Sequence, residues 1–203
     1  MLEIRPYRPS DRAAVYDICV RTADAGGDAR GQYSTDDLMP DVYAGPYLEY
    51  APELVTIVST GAADGDQAVG YLIGVADTAD YVRWHRQHWL PDFTARYAGH
   101  PKDAAEAGVI AAGLHPEKLL IAELDAYPAH LHIDLLPEAQ GQGLGRVLID
   151  GLLGTLRERG VPGLHLAYSP HNTGAAAFYA RLGFRPLAAS SADAPLVGIS
   201  TGR

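Results

Sequence analysis

Cysteine is nearly absent from this chain. Among its 203 residues only Cys19 is a cysteine, which excludes an intramolecular disulfide and any zinc site built from several cysteines. Segment 1–6 carries charges and a proline where a secretory signal would show an apolar run. Both observations favour a reducing, intracellular compartment. We therefore expect a cytoplasmic protein in which Cys19 is a small buried hydrophobe.

Long apolar runs and basic clusters are also missing. No stretch approaches the roughly 18 consecutive apolar residues of a membrane span. The 16 lysines and arginines are outnumbered by 25 aspartates and glutamates, giving a formal net charge of -9. A field of that sign repels phosphate backbones. We therefore expect neither nucleic acid nor a membrane as a partner, and the acidic balance mildly favours a cationic substrate.

The chain does contain alternating strand and helix patterns, and 47% of its residues are hydrophobic, enough for one sizeable core. Alternating and β-branched runs predict strands at 2–7, 54–59, 68–75, 129–136, 164–168 and 196–199. Helical spacing predicts helices at 11–23, 79–97, 143–159 and 172–182, with short helices and loops over 24–53 and a loop from 98 to about 117. This order predicts an α/β fold with a mixed sheet and helices on both faces. We expect one domain, 1–203, with an inserted helical segment at about 79–118.

A glycine-rich turn joins a predicted strand to a predicted helix at Gln140–Gly145. Its glycines let a ligand approach the main chain closely, and the first amides of the helix lack intrahelical partners. A turn of this kind at the start of a helix is a typical binding site for a pyrophosphate. The alternate spacing of the glycines and the lack of an early βαβ unit argue against a dinucleotide fold, and the Gly-Lys-Ser/Thr of a P-loop is absent.

Two motifs carry a family resemblance. Gln140-Gly-Gln-Gly-Leu-Gly145 resembles the Gln/Arg-x-x-Gly-x-Gly/Ala signature of the GNAT acyltransferase superfamily. Asn172–Phe184 resembles its second coenzyme A motif, Asn-x-x-Ala-x-x-Phe-Tyr-x-x-x-Gly-Phe. Segments 21–30, 43–48, 70–78 and 132–137 are similar to the branch that includes the acetyltransferase-like domain of O-GlcNAcase, and nothing about sugar hydrolysis carries over. The resemblance implies a GNAT fold, whose single, mostly antiparallel sheet has splayed central strands that hold coenzyme A.

The resemblance further implies an acetyl-CoA-dependent N-acetyltransferase. The main chain of Leu135 and Leu136 would pair with the pantetheine arm. Asn172 would contact the pantetheine or its diphosphate, although it could serve only as a helix cap. The hydroxyl of Tyr179 would lie near the thioester sulfur. The pyrophosphate would be held by the amides of Gln140, Gly141, Gln142, Gly143, Leu144, Gly145 and Arg146.

Acetyl transfer to an amine needs a base, an oxyanion donor and a proton for the departing thiolate. Tyr179 suits the last role because its hydroxyl is protonated at neutral pH, and the Leu136 amide is the oxyanion candidate. His132 and Asp134 share one face of their strand and are the candidate bases. The resemblance favours Asp134, yet a free aspartate near ~3.9 is a poor base toward an ammonium near ~10.4, and His132 titrates in a better range.

The acceptor amine stays open at this point. Aromatic walls suit an aromatic ring or an aliphatic stem capped by a cation, and the same rings could instead build the core of the insertion. The candidates are Tyr33, Tyr43, Tyr47, Trp84 and Trp89. A catalytically silent acetyl-CoA-binding module is the alternative function. We expect no metal site. The oligomeric state stays open, with a homodimer as one candidate because GNAT proteins often dimerise.

Overall fold

The computed structural model describes residues 1–99 and 101–202, within which seven strands form one sheet of order β1-β2-β3-β4-β5-β7-β6. The strands are β1 (Glu3–Pro6), β2 (Val55–Ser59), β3 (Ala68–Val75), β4 (Ala129–Leu135), β5 (Gly163–Ala167), β6 (Arg185–Pro186) and β7 (Leu196–Ser200). Strands β1 to β4 pair antiparallel in sequence order, β4 and β5 pair parallel, and β7 pairs antiparallel with both β5 and β6. The predicted α/β class with a mixed, mostly antiparallel sheet is confirmed, and β6 is an addition of two residues.

Helices cover both faces of this sheet. They are α1 (Arg12–Thr22), α2 (Leu38–Tyr43), α3 (Gly45–Tyr50), α4 (Thr78–Trp84), α5 (Leu90–Tyr97), α6 (Ala104–Leu114), α7 (Leu144–Glu158) and α8 (Thr173–Leu182). One π-helical turn, His85–Trp89, links α4 to α5, and short 3-10 turns lie at Pro9–Asp11, Pro52–Leu54, Ala62–Asp64, Pro116–Leu119 and Pro137–Ala139. In the part of the chain described, no helix combines the length and the apolar character needed to cross a membrane.

Helix α6 corrects the prediction of a loop from 98 to about 117. The Asp103 side chain accepts a hydrogen bond from the Glu106 amide, which caps the first turn. Ile110 is buried with Phe93 and Tyr97 of α5 in a second, smaller core. The helix is therefore stabilised by packing within the insertion, which outweighs the weak helix propensity of its glycines.

The central strands separate soon after they meet. β4 and β5 pair only at Ala129 with Leu164 and at His130 with His165, although β4 continues to Leu135. Beyond this point the β5 side of β4 has no strand to pair with, so the sheet opens toward the C-terminal end of β4. The predicted splay of the central strands is confirmed.

The two faces of β4 meet different helices. Asp134 interacts with Thr22 at the end of α1, so the face of β4 that carries Asp134 is covered by α1. Gly74, which pairs with Leu131, packs against Leu152 of α7 on the opposite face. Since side chains alternate along a strand, His130 and His132 share the α1 face with Asp134.

A buried carboxylate ties the insertion to α2. Asp41, 1% exposed, accepts hydrogen bonds from the hydroxyls of Tyr16 and Tyr97, both at 2.7 Å, and from Arg96. The indole N–H of Trp89 donates to the Asp41 carbonyl at 2.9 Å. A buried charge with several hydrogen-bond donors has a well-defined position, and α5 is thereby held against α1 and α2.

Candidate functional site

A cavity of about 700 Å³ occupies the opening between β4 and β5. It is lined by the end of α1 and the turn after it, by the last residues of β4 and the glycine turn, and by α8. It brings together ten of the residues predicted for the site: Asp134, Leu135, Gln140, Gly141, Gly143, Leu144, Gly145, Arg146, Asn172 and Tyr179. His132, Leu136 and Gln142 do not line it.

The glycine turn is open toward this cavity. Gly141 and Gly143 have φ angles of +72° and +78°, which favour glycine, and a Cβ built on either would meet nothing within 4 Å. Gly143 is the N-cap of α7, so the first amides of that helix, Leu144 and Gly145, have no partner within it. These free amides and the helix dipole form an anion site.

Two of the amides predicted to hold the pyrophosphate, those of Gln140 and Arg146, already have hydrogen-bond partners. The Gln140 amide already donates to the Pro137 carbonyl at 3.2 Å, and the Arg146 amide donates to the Gly143 carbonyl at 3.1 Å. The side chain of Gln140 also donates to the Leu135 carbonyl at 2.8 Å, which holds the turn against β4. The amides left for a ligand are those of 141–145, and Arg146 offers its side chain instead.

The main-chain groups of Leu136, predicted to pair with the pantetheine arm, already have partners within the protein. Its amide donates to the Val69 carbonyl at 2.9 Å and its carbonyl accepts from Ala139, so neither group is free. Residues of an antiparallel pair point their main-chain groups alternately toward and away from the partner strand. Since Leu136 points toward β3, Leu135 and Ile133 point toward the cavity. The Leu135 carbonyl already accepts from the Gln140 side chain, so the groups left at this edge are the Leu135 amide and the main chain of Ile133.

Asp134 is a half-buried carboxylate at the cavity wall. Burial is the main influence and raises its pKa, while the hydrogen bond that the Tyr71 hydroxyl donates to the carboxylate partly offsets that effect. The Tyr71 hydroxyl lies 2.5 Å from Asp134 Oδ2. The net result is a pKa above the usual aspartate value, which makes Asp134 a better proton acceptor once it is ionised.

Tyr179 projects from the middle of α8 into the same cavity. Its ring is 8% exposed and contacts the rings of Tyr168, Phe178 and Phe184. Burial, followed by the nearby charge of Asp134, raises the Tyr179 pKa far above its usual value. The hydroxyl therefore keeps its proton throughout the neutral range, and its ring is fixed in place by the three aromatic neighbours.

Asn172 is a helix cap that also reaches the cavity. Its side-chain oxygen accepts from the Ala175 amide at 3.0 Å, which makes it the N-cap of α8. A Cβ built on Gly26, in the turn after α1, would lie 3.6 Å from the Asn172 side-chain nitrogen. The cap role is shown, and the amide end of the side chain remains available on the cavity side.

His132 lies in a different environment from the one expected. Its Nε2 is 3.0 Å from the Tyr47 hydroxyl, and the ring of Tyr43 meets it edge-on at 5.7 Å between centroids. Burial lowers the His132 pKa to about 4. The expectation that His132 titrates in a better range than Asp134 is therefore wrong, because burial favours the neutral imidazole.

Within the described chain, none of the five aromatic residues predicted for the acceptor lines the cavity. Tyr47 is 2% exposed and belongs to the core. Trp84 stacks on His88, and Trp89 is anchored to Asp41 as described above. Tyr33 packs against both cores and Tyr43 contacts His132. The structure thus favours the core interpretation for these rings, with Tyr43 and Tyr47 nearest the site through His132.

Several cavity residues were not predicted. Thr22, Ala25 and Gly26 contribute the wall at the end of α1, and Ala25 has the left-handed φ of +49° that a non-glycine residue rarely adopts. The resemblance of segment 21–30 was their sequence signal. Arg181 of α8 also lines the cavity and adds a second guanidinium to that of Arg146. Among residues 1–99 and 101–202, no group of three or more His, Cys, Asp or Glu side chains is placed to hold a metal ion.

Comparisons with known proteins agree with this geometry. The crystal structure of SsHAT has a TM-score of 0.91 and 45% identity, over 100% of this chain and 99% of that one. A putative acetyltransferase from Salmonella typhimurium, solved with its cofactor acetyl-CoA, has a TM-score of 0.55 and 15% identity, over 100% and 95% of the two chains. The second likeness shows the fold.

Sequence relatives and a family model identify the family of the chain. Protein O-GlcNAcase of Rattus norvegicus is 27% identical over 184 residues, covering 89% of this chain but 20% of that protein. The chain therefore spans about a fifth of the length of that relative. Mycothiol acetyltransferase of Beutenbergia cavernae is 48% identical over 52 residues, 26% of this chain and 18% of that protein. The model of the acetyltransferase (GNAT) family matches residues 28–184. The chain belongs to the acetyltransferase (GNAT) family.

Proposed function

We propose that this GNAT acetyltransferase uses acetyl-CoA to acetylate a primary amine of a small molecule or a protein. The observation that carries the proposal is the cavity at the opening of the sheet. It places the free amides of the glycine turn, the free edge of β4, a buried tyrosine hydroxyl and a half-buried carboxylate around one space. Each of these groups serves a different part of such a reaction.

The residues of the cavity fit coenzyme A. The open space above Gly141 and Gly143 leaves room for a diphosphate against the amides of 141–145. The side chains of Arg146 and Arg181 supply positive charge at the same wall. The edge of β4 at Leu135 can pair with an extended amide-containing arm as an added strand would.

Acetyl-CoA supplies an acetyl thioester. The Leu135 amide, which points into the cavity, replaces Leu136 as the donor to the developing oxyanion. Tyr179 holds a proton on its hydroxyl and gives it to the departing thiolate. Asp134 takes a proton from the acceptor ammonium, directly or through one water, so that the nitrogen lone pair becomes free to attack.

Asp134 is preferred to His132 as the base because of position and charge. Asp134 lines the cavity that contains Tyr179, and its ionised carboxylate attracts an ammonium group. His132 lies outside that lining, and its depressed pKa makes it a weak proton acceptor.

The decrease of kcat/KM at acidic pH tests the assignment of Asp134 as the base. A base works when deprotonated, so kcat/KM falls as pH drops through the Asp134 pKa, which burial raises above the usual aspartate value. Tyr71→Phe removes a hydrogen bond that favours the carboxylate, so the acidic limb should move to higher pH. Asp134→Asn should lower kcat about 10²–10⁴-fold. All profiles are measured with the same amine, so that the ionisation of the amine contributes equally to each. Superimposable profiles for Tyr71→Phe and wild type would argue against Asp134 as the base.

The proposed activity itself is tested with a library of primary amines, incubated with the protein and acetyl-CoA while free thiol is measured. We expect amine-dependent thiol release for at least one class of acceptor, and none with Asp134→Asn at the same protein concentration. Saturable binding of acetyl-CoA without thiol release for any amine would instead support the silent binding module.

A further inference from the structure

Four side chains from three elements form a continuous hydrogen-bonded row beside Asp134. The row, here called the tautomer relay, consists of Thr78, His130, Tyr47 and His132. The Thr78 hydroxyl is 2.8 Å from His130 Nδ1, His130 Nε2 is 3.3 Å from Tyr47 Oη, and His132 Nε2 is 3.0 Å from the same oxygen. Because each link allows one direction of donation at a time, the whole row has a defined proton arrangement.

The direction is set at Thr78. Its hydroxyl oxygen lies 2.6 Å from the carbonyl oxygen of Pro128. A carbonyl oxygen can only accept, so the single hydroxyl hydrogen of Thr78 points at Pro128. Thr78 therefore accepts from His130, and the proton of His130 sits on Nδ1.

The position of the proton on His132 follows from its partners in the same way. Burial lowers the His130 pKa well below its usual value, so this ring carries one proton and its Nε2 is an acceptor. The Tyr47 hydroxyl must donate to that Nε2, and the Tyr47 ring is held by stacking on Tyr81 at 4.6 Å between centroids. The Tyr47 oxygen, which also accepts from the Tyr81 hydroxyl, can then only accept from His132 Nε2. His132 is left with its proton on Nε2 and a lone pair on Nδ1.

This lone pair is not fully buried. Within the described residues the completely buried side-chain polar atoms without partners are His85 Nδ1 and Glu123 Oε2, and His132 Nδ1 is not among them. His132 is an intermediate residue, so its ring keeps some exposure although it is mostly buried. His132 and Asp134 occupy successive positions on one strand face, about 7 Å apart along β4, which is within reach of one small amine group.

We propose that the tautomer relay holds His132 with its Nδ1 lone pair presented beside Asp134, where it accepts an N–H of the acceptor amine and so positions the amine for attack. The proposal rests on the proposed function. A primary amine that has given one proton to Asp134 still has two N–H groups, so it can bond to His132 while its lone pair attacks.

Nitrogen NMR of 15N-histidine-labelled protein tests the relay without requiring catalysis. Ring nitrogen shifts distinguish the two neutral tautomers, and we expect His132 as the Nε2–H form near neutral pH. Thr78→Val removes the hydroxyl that sets the direction and should give His132 a mixed tautomer signal. Thr78→Ser keeps the hydroxyl and should restore the wild-type signal, which a purely structural role of Thr78 would not require. Tyr47→Phe, which breaks the row directly, provides a second variant if Thr78→Val does not fold.

Two probes test the contact with the amine. Butylamine and butyltrimethylammonium carry the same charge at neutral pH, but only butylamine has N–H groups. We expect butylamine to shift the His132 Nδ1 resonance and butyltrimethylammonium to leave it unchanged. Equal shifts with both probes, no shift with butylamine, or a wild-type His132 in the Nδ1–H form would each overturn the proposal. An inactive protein with the expected spectra would overturn only the proposed function.

Discussion

Tyr179→Phe is expected to lower the turnover rate of acetyl transfer about 10²–10⁴-fold while changing the affinity for acetyl-CoA by no more than a few-fold. The hydroxyl contributes only as negative charge develops on sulfur, so its loss affects the transition state far more than binding. Burial keeps the Tyr179 proton in place over the whole working range, as the raised pKa shows. The phenylalanine ring keeps the contacts with Phe178 and Phe184.

Tyr168→Phe is the matched control for this prediction. Its ring lies 5.6 Å from that of Tyr179 between centroids, yet it does not line the cavity in the described part of the chain. It should keep near wild-type turnover. The measurements are initial rates of thiol release at saturating substrates and calorimetric titration with acetyl-CoA. Turnover equal to wild type in Tyr179→Phe would remove the proton-donor role from this residue.

Gly143→Val is expected to abolish the binding of acetyl-CoA. Gly143 has a φ of +78° and faces open space in the cavity, so a branched side chain there would fill the volume proposed for the diphosphate. The left-handed conformation itself costs a valine about 1–3 kcal/mol of stability. The loss of binding must therefore be separated from the loss of stability.

Gly160→Val provides that separation. Gly160 follows α7 at its other end, has a φ of +72°, and also has nothing within 4 Å of a built Cβ. Both variants should melt at a similarly reduced temperature without ligand. Only Gly160→Val should still be stabilised by acetyl-CoA, as measured by thermal unfolding. A normal thermal shift in Gly143→Val would place the phosphate site elsewhere.

Much of the fold was predictable because its strands and the helices α7 and α8 have clear periodic patterns. The glycine turn was predictable because left-handed φ angles and close ligand approach both demand glycine. Helix α6 was missed although five of its eleven residues are alanine and Asp103 caps its first turn. Its two glycines obscured that local signal, and its packing of Ile110 with Phe93 and Tyr97 is a tertiary contact. Strand β6 has only two residues, too few for a pattern.

The finer features of the site depend on register and long-range contacts. A shift of one residue turns the main-chain groups of a strand to its other edge, so the sequence could not decide between Leu135 and Leu136. The environment of His132 comes from Tyr43 and Tyr47, which lie far away in the sequence, and burial of His132 itself lowers its pKa to about 4. No local pattern around His132 contains that information.

Titration of the wild-type protein with acetyl-CoA, followed by calorimetry and thermal unfolding, addresses the proposed site most directly. We expect saturable binding at one site and a melting temperature that rises with acetyl-CoA concentration, because a ligand that binds only the folded state stabilises it by mass action. Absence of both heat and thermal shift at millimolar acetyl-CoA would contradict the assignment of the cavity between β4 and β5 as the acetyl-CoA site.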